Sequence, residues 1–463
     1  MALFISTLFV PPHREMPSSS PKIFPFPKQS PVEEDPIVIT GVGLGTSLGS
    51  NREAVWEGIQ TGRSGIRLTN EHDGVGDLQL PCGMVDWLED RDPVQLKSIQ
   101  ITRHVAAEAL SDANLNWDKI DRTRFGCSIS AQFGNIGYCY EPPETRDTEP
   151  QTPWYEELLP NAVNGLVANE FDLHGPRICH TTACASGLVS TIAGVRMLQS
   201  GQSDFALCGA ADAITELILA SFYRMGVLST GPTIQKACRP FDETRGGFVM
   251  GEGAALMVLE RRSQAIERGA SIYAELAGWS TLCQAHHVTG LDGDVDCLVE
   301  LIRQMVRRAG WDFRGPQYIN AHGTGTEQND RSELQAISMA LGDKADQTVI
   351  SSNKAVMGHL INAAGAAELA ITALAMRDGY APPTMNLESP ISELDCLPKY
   401  GAQTNIDRSL KLSLAFGGHL VGIALRKTPF EQHSRTAQPL SPQARIRGTE
   451  NTVPAEQIAR RAA

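Results

Sequence analysis

Short apolar runs that alternate with segments of helical periodicity constrain the fold of this chain most. Apolar residues recur at helical spacing over 99–110 and 185–198, and residues 411–426 alternate on both sides of Gly417-Gly418 as a hairpin does. The strand-like runs lie at residues 36–40, 124–129, 177–181, 204–208, 254–259, 318–321 and 348–351. Repeated strand–helix alternation predicts an α/β fold in which helices cover the sheets.

The composition excludes several classes of protein. Of 463 residues, 42% are hydrophobic and 20% charged, which allows a sizeable buried core. The net charge of −13 disfavours binding to a phosphate backbone, so no nucleic-acid partner is expected. Ten cysteines without a Cys-x-x-Cys pair indicate free thiols in a reducing, cytoplasmic compartment. No apolar stretch reaches the ~18 residues of a membrane span, so no membrane insertion is expected.

The two ends of the chain differ in composition from its centre. Eight prolines lie between Pro11 and Pro36, mixed with serine and lysine, which predicts a disordered leader over residues 1–35. Residues 430–463 are polar and lose apolar periodicity, which predicts a flexible tail. The folded region therefore spans about residues 36–429.

A glycine cluster after the first strand is typical of nucleotide sites, but its details do not fit one. Gly41, Gly43 and Gly45 precede Thr46, which stands where the third glycine of a dinucleotide fingerprint belongs. No acidic residue closes a βαβ unit behind it. A tight strand-to-helix turn is the preferred interpretation.

Cys184 stands out among the cysteines because of its position. In Thr181-Thr-Ala-Cys184-Ala-Ser-Gly187 a strand leads into small residues, and the helix to Leu198 begins at this cysteine. Unpaired N–H groups and the helix dipole favour a thiolate there, and small neighbours let a substrate approach closely. A buried, inert cysteine is the alternative.

Two histidines occupy similar strand–helix junctions. His322 follows a strand and precedes a run of glycine and threonine residues, ahead of Asn329-Asp330, a predicted N-cap for a helix over 331–341. His359 follows Lys354 and precedes a small-residue helix that carries Glu368, and burial of that lysine or glutamate requires pairing. The histidine spacings match no zinc pattern. A thiol and two histidines at such junctions suggest acyl transfer through a thioester.

Five motifs stand in one order along the chain. They are Thr182-Ala-Cys184-Ala-Ser-Gly, Arg239-Pro-Phe-Asp-x-x-Arg245-x-Gly-Phe-Val-x-Gly-Glu252-Gly, Ala321-His322-Gly-Thr-Gly-Thr-x-x-Asn-Asp330, Lys354-x-x-x-Gly-His359-x-x-x-Ala-Ala-Gly365-Ala-x-Glu368 and Phe416-Gly-Gly. Over residues 36–427 the chain resembles the elongating β-ketoacyl-acyl-carrier-protein synthases of the thiolase-like superfamily. The resemblance implies two similar halves, 36–270 with Cys184 and 271–429 with both histidines, in a layered αβαβα core.

The resemblance also implies a mechanism. Cys184 would accept an acyl chain from the phosphopantetheine arm of an acyl carrier protein, and no further cofactor is expected. His322 and His359 would stabilise the enolate formed when malonyl-carrier protein loses CO₂. The enolate would attack the acyl-Cys184 carbonyl, whose oxyanion rests on the N–H groups of Cys184 and Phe416, with Phe416 and Gly417 forming the gate.

Further roles follow from the same resemblance. Lys354 and Glu368 match the buried charged pair that orders the histidine loop, with Asp330 and Glu333 as supporting acids. The pantetheine arm would contact Thr324, Thr326 and Thr289. Phe133 and Phe222 match walls of the acyl pocket, which predicts a preference for short primers. A homodimer is expected, paired through the strand at residues 177–181.

Departures from the family pattern keep two alternatives open. The usual Phe-Gly-Gly-Thr-Asn reads Phe416-Gly-Gly-His419-Leu420, and Ser130-Ala-Gln-Phe133-Gly134 replaces a glycine-rich stretch. They suggest a specialised paralogue in lipid or polyketide synthesis, or a weakly active or inactive partner of a homologous synthase. A thiolase acting on coenzyme A esters is disfavoured, because Cys396 does not match the second thiolase cysteine.

Overall fold

The computed structural model describes residues 35–69, 79–89, 92, 95–131, 134, 157–229, 233–290, 293–311, 314–394 and 400–428. The predicted leader (apart from Asp35), the predicted tail, Phe133 and Cys396 lie outside these ranges. The predictions made for them therefore stay predictions.

Strands and helices alternate along the described chain as the apolar pattern predicts. The strands are β1 Ile37–Thr46, β2 Arg67–Thr69, β3 Leu80–Gly83, β4 Phe125–Ser130, β5 Arg177–Ile178, β6 Phe205–Asp212, β7 Met250–Gly251, β8 Gly253–Arg261, β9 Ala274–Cys283, β10 Tyr318–Asn320, β11 Val349–Ser351, β12 Tyr380–Ala381, β13 Ala402–Gln403, β14 Arg408–Ala415 and β15 His419–Arg426. The helices are α1 Arg52–Gln60, α2 Lys97–Asp112, α3 Ala162–Glu170, α4 Ser186–Gln199, α5 Glu216–Arg224, α6 Ile234–Ala237, α7 Arg262–Glu267, α8 Asp296–Arg308, α9 Glu327–Leu341, α10 Lys354–Met357 and α11 Ala364–Asp378.

The main sheet consists of two halves with the same strand topology. Within the described residues its order is β11-β10-β14-β15-β9-β1-β8-β6-β4-β5. In β1-β8-β6-β4-β5 the first two pairings are antiparallel and the last two parallel, and β9-β15-β14-β10-β11 repeats that pattern. The halves meet where β1 pairs with β9. The predicted α/β class with two similar halves is confirmed, while the boundary at residue 270 stays a prediction.

The central layer contains α4 and α11, one helix from each half. Its apolar cluster includes side chains of both helices, whereas separate clusters lie against α2 and α3 on one side and α8 and α9 on the other. A Cβ added to Gly187 would lie 2.5 Å from the backbone nitrogen of Ala366, which a real contact does not allow. Gly187 therefore serves helix packing, a role different from the substrate approach expected from the sequence.

The first glycine cluster lies within β1, so the predicted turn is wrong. The strand continues to Thr46 because β8 pairs with it as far as Gly253. A Cβ at Gly43 would lie 2.1 Å from the Val105 carbonyl oxygen of α2. Gly41 and Gly43 let α2 pack directly on the strand.

One edge strand of the described sheet is shorter than the sequence predicts. β5 covers Arg177–Ile178, shorter than the predicted strand over 177–181, and it is the last strand at one edge of the described sheet.

Among the described residues no helix is both long and apolar enough to cross a membrane.

Candidate active site

Cys184 lies in a tight turn that joins β5 to α4. A 3-10 turn over Ala183–Ala185 precedes the helix, and Ala183 adopts a left-handed backbone with φ of 46°. The Ser186 hydroxyl donates to the Ala183 carbonyl at 2.8 Å and accepts the Thr182 N–H at 2.7 Å. The turn is thus held in a conformation that L-residues rarely adopt, which is common at functional sites.

The thiol of Cys184 does not have the low pKa that its position at a helix N-terminus suggests. Burial raises its pKa to about 12, although the nearby Lys354 acts in the opposite direction. The side chain is only 9% exposed, so water does not stabilise a thiolate. Burial therefore opposes the thiolate that the position at the helix N-terminus favours.

His359 lies directly before the turn of the second half that corresponds to the turn of Cys184, and Asn362 occupies the position equivalent to Cys184. His359 lies between β11 and α11, next to the 3-10 turn Ile361–Ala363, and that turn packs against the turn of Cys184. The N–H of Ile361 donates to His359 Nδ1 at 3.1 Å. In the neutral ring the proton therefore lies on Nε2, which can donate a hydrogen bond to a substrate oxygen.

His322 lies beside His359 at the end of β10. Their ring centroids are 5.3 Å apart and the ring planes make an angle of 85°. Glu333 accepts the backbone N–H groups of His322 at 2.6 Å and Gly323 at 2.8 Å, which fixes the loop. Burial, and then the positive charge of Lys354, hold the pKa of both histidines well below its usual range, so both rings are neutral.

A fully buried group of three charges supports these histidines. Lys354 pairs with Glu368, as the sequence predicts, and donates to the His322 carbonyl oxygen at 2.5 Å. Lys411, which the sequence analysis did not single out, lies 2.6 Å from the other Glu368 oxygen. A charged residue in the apolar strand β14 was the sequence feature that could have revealed it.

Asp330 has a role different from the predicted N-cap. The helix begins earlier, at Glu327, with Thr326 as its N-cap. The Asp330 carboxylate is fully buried and accepts the N–H groups of Phe241 at 2.7 Å and Gly325 at 3.1 Å. It therefore ties the loop after His322 to the loop that contains Phe241.

The predicted gate residues lie in the turn between β14 and β15. The N–H of Gly417 donates to the Val288 carbonyl at 2.7 Å, and the N–H of Gln284 donates to the Gly418 carbonyl at 2.9 Å. Because its N–H is engaged, Gly417 fits the gate and not the oxyanion site. Thr289 lies exposed beside Val288, next to this turn.

Aromatic side chains connect the gate to the histidines. The Phe416 and Phe222 centroids are 6.1 Å apart, those of Phe222 and Phe248 5.4 Å, and those of Phe248 and His359 5.2 Å. The structure thus places Phe222 near the predicted gate and adds Phe248, which the sequence analysis missed.

The hydroxyl residues predicted to hold pantetheine follow His322 closely. The Thr324 and Thr326 hydroxyls are 2.9 Å apart in the loop that Asp330 orders. Thr324 is buried and Thr326 half-buried.

A polar group missed by sequence analysis lies behind the two turns. Asn362 donates its backbone N–H to Asp212 at 3.1 Å and its side-chain amide to the Ser130 hydroxyl at 3.0 Å. Burial raises the pKa of Asp212 to about 7. These contacts link β4, β6 and the turn that follows His359.

Comparison with known proteins places this site in a class of acyl-transferring condensing enzymes. The family models "Beta-ketoacyl synthase, N-terminal domain" and "Beta-ketoacyl synthase, C-terminal domain" match residues 92–265 and 273–388. The chain belongs to the beta-ketoacyl synthase family.

Curated relatives agree over most of the chain. A 3-oxoacyl-[acyl-carrier-protein] synthase 2 of Coxiella burnetii is 33% identical, covering 84% of this chain and 97% of the relative. The actinorhodin polyketide putative beta-ketoacyl synthase 1 of Streptomyces coelicolor is 34% identical, covering 84% and 88%.

Solved structures agree as well. A chain from a type II polyketide synthase acyl-carrier protein in complex with its ketosynthase matches with a TM-score of 0.76 at 29% identity, covering 85% of this chain and all of that one. A beta-ketoacyl synthase from Burkholderia phymatum matches with a TM-score of 0.75 at 26% identity and the same coverage.

Proposed function

We propose that this protein is a β-ketoacyl-acyl-carrier-protein synthase that condenses an acyl group on Cys184 with malonyl-carrier protein. The observation that carries the proposal is the meeting of two equivalent turns, one that contains Cys184 and one that directly follows His359, beside His322. A nucleophile and two neutral hydrogen-bond donors are the groups that such a condensation needs.

In the first step the Cys184 sulfur attacks the thioester carbonyl of an acyl-carrier protein. The carrier's thiol leaves with the proton that Cys184 loses, and the acyl group remains on Cys184. Burial raises the pKa of Cys184, so the thiol has to lose its proton as the sulfur attacks.

In the second step malonyl-carrier protein loses CO₂, and the electron pair of the broken C–C bond forms an enolate. The Nε2–H of His359 and the ring of His322 donate to the enolate oxygen, while Lys354 adds positive charge nearby. The enolate carbon attacks the acyl carbonyl, and the Cys184 sulfur leaves as the new C–C bond closes. Each preorganised donor is worth ~10²–10³ in rate.

An acyl carrier protein is the proposed partner. The Coxiella relative is named for an acyl carrier protein, and the polyketide ketosynthase described above is in complex with one. The carrier would supply the phosphopantetheine, so no cofactor of the enzyme's own is proposed, and Thr324, Thr326 and Thr289 are the residues proposed to contact the arm. Free thiols among the described cysteines support action in the cytoplasm.

The test is product formation by the purified chain alone. It is incubated with malonyl-carrier protein and acyl-carrier proteins of increasing chain length, and in parallel with coenzyme A thioesters, and β-ketoacyl products are measured by mass spectrometry. Condensation is expected with the carrier-protein substrates, fastest with short primers. Product from coenzyme A esters alone would indicate a thiolase, and no product from either set would indicate a partner subunit.

A further inference from the structure

Lys411 lies where an apolar or small residue is expected. Its strand β14 alternates, with Leu410, Leu412 and Leu414 in the core cluster against α8 and α9. Lys411 therefore points to the opposite side of the sheet, where α11 lies, and its side chain is 0% exposed. A fully buried lysine is rare in proteins and needs a specific reason.

The ammonium group of Lys411 contacts the backbone that leads into His322. It lies 2.6 Å from Glu368 Oε2 and donates to the carbonyl oxygens of Ala321 at 3.1 Å and Asn320 at 3.4 Å. Lys354 holds the other Glu368 oxygen and the next carbonyl, that of His322. Two ammonium groups thus fix three consecutive carbonyls, and one carboxylate fixes both ammonium groups.

The second lysine is electrostatically unfavourable for folding. Lys354 and Glu368 would already balance each other, and Lys411 adds a charge beside them, with Glu333 and the rings of His322 and His359 also facing it. Burial lowers the pKa of Lys411 to about 8 despite the pull of Glu368. Between that value and its usual pKa the unfolded chain binds more protons, so stability rises with pH there and charged Lys411 opposes folding.

We propose that Lys411 is a positioning residue for His322, because it clamps the backbone before that histidine and adds a second positive charge near the forming enolate. The proposal rests on the condensation proposed above. A misplacement of a catalytic group by about 1 Å can lower the rate by up to about 100-fold, and an effect of this size is expected when His322 is no longer held in place.

The test compares Lys411→Met with Arg268→Met. Arg268 forms an ion pair with the fully buried Glu260, and none of its described contacts involves a histidine of the site, so it serves as the matched control. In Lys411→Met the kcat for condensation should fall about 10- to 100-fold with little change in KM. Its Tm should stay the same or rise, since Lys354 and Glu368 remain paired. Arg268→Met should have a lower Tm, because Glu260 is left buried without its cation, and an unchanged kcat.

The pH profile supplies an independent readout. Wild-type kcat should fall as the pH rises through about 8 and Lys411 loses its proton. That alkaline limb should vanish in Lys411→Met and move to higher pH in Lys411→Arg, which keeps the rate. An unchanged kcat in Lys411→Met would overturn the proposal. A lower kcat accompanied by a clear fall in Tm would overturn it as well, because general destabilisation would then explain the loss of activity. If Lys411→Met does not fold, Lys411→Arg decides: an alkaline limb at the same pH as in the wild type would overturn the proposal.

Histidine NMR separates this proposal from the proposed function, since it needs no turnover. Burial lowers the pKa of His322 most, and the charge of Lys411 adds to that effect. Lys411→Met, or Lys411→Gln if the former does not fold, should therefore raise that pKa. An unchanged His322 titration would refute the inference. A wild-type enzyme without condensation would refute only the proposed function.

Discussion

At the scale of single residues, Cys184 shows how burial outweighs the helix dipole. A helix N-terminus favours a negative charge by ~0.3–1 kcal/mol, or ~2 kcal/mol in partly buried geometries. The shift of the Cys184 pKa from 9.0 to about 12 corresponds to roughly 4 kcal/mol against the thiolate. The larger effect wins, and the free enzyme holds a protonated thiol.

This balance predicts the pH dependence of Cys184 alkylation. The rate of modification by iodoacetamide in the free enzyme should keep rising about tenfold per pH unit between about pH 7 and 9.5, because only the thiolate reacts. Mass spectrometry of the Cys184 peptide measures the rate, with exposed Cys283 as the reference for reagent activity. A rate that levels off near neutral pH would show a low thiol pKa instead.

Residue roles could be predicted from the sequence only where a motif placed them. Cys184, His322 and His359 were identified by their junctions, and the pairing of Lys354 with Glu368 was implied by the family resemblance. The contacts of Lys411 depend on which strand lies beside β10, and one sequence does not contain that information. The engaged N–H of Gly417 likewise depends on a distant loop.

At the scale of elements, periodicity predicted most strands and helices, and the errors have physical causes. Glycines that follow an apolar run can end a strand or let a helix pack on it, and in β1 they do the latter. The helix α9 begins at Glu327, ahead of the predicted N-cap. The carboxylate of Asp330 accepts the N–H groups of Gly325 and Phe241 and so does not cap the helix. Tertiary contacts decided both cases.

The packing of α2 on β1 predicts a large effect of one methyl group. Gly43→Ala places a Cβ 2.1 Å from the Val105 carbonyl oxygen, so strand and helix must separate. The free energy of unfolding should fall by about 1–3 kcal/mol, measured by urea denaturation. Gly293→Ala, whose added Cβ meets no atom of the described residues within 4 Å, is the control. Equal loss in both variants would contradict close packing at Gly43.

At the scale of the whole molecule, the repeated topology explains how the site is assembled. Cys184 precedes α4 and His359 precedes α11, and these helices occupy equivalent places in the two halves. Packing the two helices together in the central layer brings both turns into contact. The family resemblance implied two similar halves, and the structure shows that their likeness lies in strand topology.

The edge position of β5 favours the predicted homodimer. An edge strand offers unpaired backbone groups, and a two-fold axis would let β5 pair with its copy. Light scattering at micromolar concentration should give twice the 50.1 kDa of one chain. The mass of a single chain under those conditions would contradict the prediction.

The central claim is that Cys184 carries the acyl group while His322 and His359 act on the malonyl group. The most direct measurement is the reaction of purified Cys184→Ala with acyl- and malonyl-carrier proteins, followed by mass spectrometry. CO₂ release from malonyl-carrier protein should persist, since both histidines remain, and no β-ketoacyl product should form. A β-ketoacyl product from pure Cys184→Ala would contradict the account.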